Sequence, residues 1–316
     1  NFPSVRASSG NEFEFSYHIS NYLIQDFYSD SLLHYPYGYK SIDLHNPPRY
    51  YNTKDIIRDY ESLVTEVGFS FYILKQLQVG IDFRLIAYYQ GFMDPIIEKF
   101  HSIFGFPGGA REFFNQYRVF VNIKNNSGIN LYLDKETVSF GDIDLWVKYT
   151  FFERKYIALA GFGAFKIPTG MLSRLSGSGY PDMAFGILAD FKPLWLLSFY
   201  SQSGIVIPFD SFNPNGQKPF PMFNGLVAVE LNPTSFFSLL LQFNIKTSPI
   251  RGDKEFGWVP EWKLYDLPQI NTLVGFKFKY KDFNWQFYVE EDSFTNQGAD
   301  ISFNLMFSHN IRFFKF

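Results

Sequence analysis

The chain has 316 residues, 21% of them aromatic (40 Phe, 21 Tyr), no cysteine and a formal net charge of −3. Without cysteine there are no disulfides, thiolate zinc sites or thiol nucleophiles, and without a basic block nucleic acid is not an expected partner. No run of about 18 apolar residues is present, which excludes a bundle of membrane helices, and the abundance of aromatic residues excludes a disordered chain.

The first ten residues, NFPSVRASSG, carry no signal-peptide pattern. An exported protein would therefore be seen here already processed, with 1–10 as an N-terminal periplasmic segment. From there the dominant period is two. In SLVTEVGFSFYI, Leu63, Val67, Phe69, Phe71 and Ile73 alternate with Ser62, Glu66, Gly68 and Ser70. The next segment continues the pattern, with Val79, Ile81, Phe83 and Leu85 against Gly80, Asp82 and Arg84. Alternation of this kind marks strands with one apolar and one polar face. Strands are expected near 11–24, 59–74, 78–91, 115–124, 128–134, 138–152, 156–168, 180–191, 194–207, 222–231, 236–248, 268–280, 284–293 and 299–316, about fourteen in all. If 115–152 is one bulged excursion, the count falls to twelve.

Half-buried strands fit either a soluble sandwich or a membrane barrel that turns its apolar faces to lipid. The connections separate the two. Residues 75–77, 125–127, 153–155, 192–193, 232–235 and 281–283 are tight. Most of the others are long: 25–58, 92–114, 169–179, 208–221 and 249–267. Short turns at one end and long loops at the other belong to outer-membrane barrels. Aromatics crowd the tight turns (Phe151, Phe152, Tyr156, Phe191, Trp195, Phe236, Phe237, Tyr280, Trp285), as expected of a girdle at the membrane boundary.

The chain ends SHNIRFFKF. Its Phe314 and Phe316, spaced by two, resemble the assembly signal of bacterial outer-membrane β-barrels, which implies that the barrel-assembly machinery is a partner. Because the apolar phase of 301–307 is odd and that of Phe314 and Phe316 is even, a bulge is expected near Ser308–Asn310. The stretches FHSIFGFPGGARE (100–112), GDIDLWVKY (141–149) and SGSGYPD (176–182) resemble an uncharacterised bacterial outer-membrane barrel family. That family is distantly similar to the outer-membrane proteins of phenol-degradation pathways. The resemblance implies a barrel and carries no functional residue with it.

A barrel of twelve to fourteen strands lies between side-chain-filled and open sizes. The inward positions inferred from the polar phase include Glu14, His18, Glu66, Asp82, Arg84, Asp142, Asp144, Lys148, Lys166, Asp182, Gln242, Lys246, Lys277, Lys279, Glu290 and Asp300. Either these charges pair into wall networks or they make a mildly selective lumen. Asp142, Asp144, Asp182, Glu290 and Asp300 fall toward the long-loop end, which would make a weakly cation-attracting mouth. Residues 94–104, DPIIEKFHSIF, predict a helix with Ile96, Ile97, Phe100, Ile103 and Phe104 on one face. This helix is either a surface helix or a constriction built on Phe100, His101, Phe104 and Arg111.

Catalytic readings are weak. His18 and Ser20 share a strand face and superficially resemble the His-x-Ser pair of outer-membrane lipid A deacylases. Ser308, His309 and Asn310 have the residue types of an outer-membrane phospholipase, but consecutive strand residues do not converge. Five scattered His make no metal cluster, and Asp142 with Asp144 are too few carboxylates to define a calcium site. The expected molecule is one all-β domain, residues 1–316, an antiparallel up-and-down transmembrane barrel of the bacterial outer membrane. It is expected to be a non-enzyme without cofactor, surrounded by membrane lipid and lipopolysaccharide, passing small solutes by a porin-like route. A transporter of hydrophobic or aromatic compounds is the alternative, and a lipid-modifying hydrolase the second alternative. Oligomeric state is left open.

Overall fold

Strand alternation becomes a closed wall in the computed structural model, which describes residues 12–29, 55–104, 117–124, 130–210, 219–248, 268–292 and 301–312. In chain order the strands are β1 (Glu12–Ser29), β2 (Asp55–Leu74), β3 (Leu77–Tyr89), β4 (Phe120–Lys124), β5 (Asn130–Leu133), β6 (Thr137–Phe140), β7 (Ile143–Glu153) and β8 (Ile157–Ile167). They continue with β9 (Asp182–Phe191), β10 (Leu197–Pro208), β11 (Met222–Leu231), β12 (Phe237–Lys246), β13 (Gln269–Tyr280), β14 (Phe283–Asp292) and β15 (Ile301–Arg312). One helix, α1 (Asp94–Phe104), follows β3. Each long strand pairs antiparallel with its neighbours, β15 pairs with β1, and β2 with β3 closes the cycle.

The closed ring contains twelve strands, and β4, β5 and β6 lie outside it. The sequence-based alternative of twelve is therefore the ring count. The two extra strands expected within 115–134 do form, as a β4–β5 hairpin against the upper end of β2 (Ile56↔Ile123, Asp59↔Phe120). β6 and β7 continue one another along β3. Leu85 pairs with Phe140 and Asp82 with Asp144, so β3 advances three residues while the other side advances four. This is a one-residue bulge at Gly141–Asp142, and the Gly141 N–H donates to the Arg84 carbonyl at 2.8 Å. The bulge expected near Ser308–Asn310 is not there. The register of β15 against β1 runs unbroken from Leu23↔Ile301 to Glu12↔Arg312, and Ile311 keeps the odd, outward phase. The expected end signal at Phe314 and Phe316 lies outside the described residues.

Which face meets which solvent is decided by exposure. Along β7, Val147 is 40% exposed while its neighbour Lys148 is 3% exposed. The same inversion holds at Phe71 beside Ser70 and at Leu241 beside Gln242. Burying a lysine while exposing valines and phenylalanines is unfavourable in water. It is favourable when the outer surface is hydrocarbon and polar groups turn inward. The outward aromatics cluster at the tight turns as expected, with Phe151, Trp195, Phe236 and Tyr280 all more than half exposed. Beside them Arg154 lies over the Phe152 ring and Lys281 over the Tyr280 ring, each at 5.4 Å. Rings bridged to cations mark the boundary where apolar and wet regions meet. This is a membrane-spanning barrel.

Candidate functional site

Directly paired residues in an antiparallel ladder share a face, so the register assigns the interior residue by residue. His18 pairs with Glu66, and Glu66 with Arg84. Asp82 pairs with Asp144, Asp144 with Lys166, and Lys166 with Asp182. Glu14 pairs with Ser70 and Lys148 with Gln78 on the same face. Across the ring Gln242 pairs with Leu273, Leu273 with Glu290, Lys246 with Gln269, Lys277 with Gln286 and Lys279 with Asn284. All of the named polar positions in the ring's strands therefore face inward. Asp142 sits in the bulge and is buried. Asp300 is outside the described residues.

The charges are matched to each other. Arg84 Nε donates to Glu66 at 2.8 Å, and the same guanidinium binds Asp144. Asp82 accepts from Trp146 Nε1 at 2.9 Å. Lys166 binds Asp182 and reaches Asp142 at 3.4 Å, and it donates to Ser178 Oγ at 2.7 Å. Lys277 meets Glu230 at 3.2 Å, and Glu290 accepts from Asn271 at 2.7 Å. Partial burial strengthens each pair but makes any charge left alone expensive. Arg84 and Lys166 thus give Asp144, Asp142 and Asp182 a cationic partner each, while carboxylates still outnumber cations in this part of the wall. No group of three or more metal-binding side chains is found among the described residues.

The inner face is divided. On β1–β3, β7, β14 and β15 it is mostly polar, with Val64, Ile86 and Met306 set among the polar groups. On β8 and β9 the inward row starts at Lys166 and Asp182, runs through Ala164, Ala184, Phe162, Gly186, Ala160 and Leu188, and ends at Ala158 and the buried Asp190. Ala158, Ala160 and Leu188 form a buried apolar cluster with Phe162 packed on it. The Phe162 ring lies over Gly186 and Gly204, since a Cβ at Gly186 would stand 2.4 Å from its Cε1. Further apolar groups, Ala228, Leu240, Leu273 and Met306, face inward on β11, β12, β13 and β15. Sequence reading missed this strip because it sought the interior in the polar phase. The signal was present in β8, IALAGFGAFKI, where both phases are apolar.

The long connection named in the sequence, which carries the SGSGYPD stretch, lies at the outer mouth. The 168–181 connection folds over it with a 3-10 turn at Leu172–Arg174. Asp142 accepts from the Gly170 N–H at 2.9 Å and the Ser178 N–H at 3.4 Å, holding both arms of the loop. The Tyr88 hydroxyl donates to the Leu175 carbonyl at 2.8 Å. Leu175, Tyr60 and Ile86 pack on a buried cluster of Tyr88, Val119, Val121 and Leu133, so the hairpin β4–β5 and the loop meet above the lumen.

Helix α1 spans the expected 94–104 but its first turns lie outside the barrel. Met93 and Ile97 pack on Leu23, Ile301 and Phe303, which belong to the odd, outward phase. That is not the position of a plug. The side chains of Phe100, His101 and Phe104, and all of Arg111, lie outside the described residues. His18 Nε2 and Ser20 Oγ are 2.9 Å apart, but both face inward and Tyr288 shares the imidazole at 3.0 Å. Ser308 faces inward while His309 turns outward and stacks on Phe283 at 4.0 Å, so these neighbours diverge.

Comparison with known proteins agrees with this architecture. The family described as "Protein of unknown function (DUF3187)" matches residues 49–311, and the chain belongs to it. No curated protein matches the chain significantly. Among solved structures, the COG4313 outer membrane channel from Pseudomonas putida F1 superposes with a TM-score of 0.60 at 10% identity, covering 98% of this chain and 99% of that one. The Pseudomonas putida toluene transporter TodX (TM-score 0.42, 11% identity, 97% and 90% covered) is a looser match. So is the Ralstonia pickettii toluene transporter TbuX (TM-score 0.41, 8% identity, 97% and 90% covered). The fold shared with the COG4313 channel is that of an outer-membrane barrel.

Proposed function

We propose that this member of the DUF3187 family is an outer-membrane channel for small hydrophobic or aromatic compounds, not a general aqueous porin. The observation that carries this reading is the inward apolar strip of Phe162, Leu188, Ala160 and Ala158. A wall built to conduct hydrated solutes offers polar groups to replace their hydration. Here many of the wall's charges are bound up in ion pairs, and on β8 and β9 the polar lining is interrupted by an aliphatic and aromatic stretch. A small ring compound would slide along the apolar side, with rim polar groups supplying orientation. The mouth supports the same solute class. Tyr60, Tyr88, Ile86 and Leu175 present rings and aliphatic groups where a porin would present charge.

The test is reconstitution of the purified barrel in planar bilayers, paired with binding of a monoaromatic hydrocarbon in detergent. Saturable hydrocarbon binding that Leu188→Glu abolishes, with little or no ionic conductance, is the expected result. A large, steady ionic conductance without hydrocarbon binding would support the porin reading instead.

A further inference from the structure

Helix α1 is fastened to the outer wall by a buried polar contact at its start. The Glu61 carboxylate of β2 accepts from the consecutive N–H groups of Phe92, at 2.7 Å, and Met93, and from Asn21 Nδ2 at 3.2 Å. The Tyr89 hydroxyl donates to Asn21 Oδ1 at 2.8 Å. Gly91, with φ of +76°, lets the chain cross tightly here, since a Cβ would stand 1.9 Å from the Glu61 Cδ. Glu61 and Asn21 occupy the outward phase, in line with Leu63 and Ile19, yet both are under 10% exposed because the strap covers them.

Once docked, the helix presents three distinct sides. Ile97 meets the wall. At 100° per residue, Ile96 and Ile103 fall together on one flank, 48% and 66% exposed, with Phe92 before them at 55%. Glu98, Lys99 and Ser102, all exposed, fall on the rest of the free surface. The apolar flank continues the exposed belt of the barrel, which begins one outward position below the helix at Leu305 on β15. Thirteen residues of β2 separate Glu61 from the tight turn after Leu74. At the usual rise and tilt this is about 30 Å of height, slightly more than the roughly 25 Å apolar band of such barrels. The helix therefore stands at the edge of the outer leaflet.

We propose that α1 is an interfacial helix bound to the outer-leaflet lipid, with Phe92, Ile96 and Ile103 inserted among the acyl chains and Glu98, Lys99 and Ser102 in the headgroup water. Such a helix gains from burying its apolar flank in the boundary region. The inference is independent of which solute the lumen carries. It makes this loop a membrane contact on the barrel's exterior, next to the β1–β15 and β1–β2 walls.

The absence of native cysteine makes the test clean. Ile96→Cys, Ile103→Cys, Glu98→Cys and Ser102→Cys are each labelled with a nitroxide in the full-length barrel and reconstituted into lipid vesicles. Collision with oxygen, which concentrates in hydrocarbon, is compared with collision with a water-soluble nickel chelate. Oxygen access severalfold above nickel access at 96 and 103, reversed at 98 and 102, is the expected result. Nickel access at 96 and 103 equal to that at 98 and 102 would overturn the proposal.

Discussion

Two regions of the barrel interior are made from the same kind of strand and use their inward positions in opposite ways. On β2, β3 and β7, Arg84 binds both Glu66 and Asp144, Trp146 donates to the adjacent Asp82, and neighbouring Lys148 is almost fully buried. On β8 and β9 the middle of the inward row is alanine, glycine, Phe162 and Leu188, between the Lys166–Asp182 pair at one end and buried Asp190 at the other. Charges that satisfy each other rigidify the wall and leave little to offer a passing ion. The apolar stretch is closed over by Phe162, with Ala158, Ala160 and Leu188 packed beneath it.

Mutations should separate these two regions. Arg84→Ala strands Glu66 and Asp144 together beside Asp82 and should cost about 3 kcal/mol of stability, the lower end of the range for a broken buried pair. Denaturant unfolding in detergent, read by the heat-modifiable band shift on gels, measures it. Combining Arg84→Met with Glu66→Gln and Asp144→Asn should recover much of the loss, and failure to recover would show that the charges do more than match one another. Val274→Arg, on the outward face in the middle of β13, should cost about 2 kcal/mol through exposure of charge to lipid. The check is reversible folding into bilayers. Leu188→Glu sets a carboxylate into the buried apolar cluster and should lower stability, so the folded fraction is first fixed by the band shift; in the folded barrel hydrocarbon uptake should fall about tenfold, equivalent to about 1.4 kcal/mol. Asp142→Asn weakens the hold on Gly170 and Ser178. It should cost about 1 kcal/mol and increase protease nicking within 168–181 while leaving the barrel band shift unchanged.

Most of the wall was readable from alternation because lipid and lumen impose a strict period of two. The tight turns also fell where rings and short polar stretches announced them. Three features escaped, each for a physical reason. β1 and β2 run further outward than expected, to Ser29 and from Asp55, because paired backbone extends above the membrane, where no apolar phase is required. The apolar stretch of the lumen was invisible to a search for polar residues, although β8 with both phases apolar was its trace. Glu61 is the third. A carboxylate in the outward phase of a lipid-facing strand signals that something covers it, and the cover is the Gly91–Met93 segment. The even spacing of Phe314 and Phe316 misled in the other direction, since β15 holds one register to Arg312.

Uptake by cells deprived of other routes tests the central claim most directly. A Gram-negative host expressing the barrel is given a labelled monoaromatic hydrocarbon and, in parallel, a labelled hydrophilic sugar of similar mass. Faster entry of the hydrocarbon alone, lost with Leu188→Glu and kept with Lys279→Gln, is the predicted result. Faster entry of the sugar, with hydrocarbon entry unchanged, would contradict it.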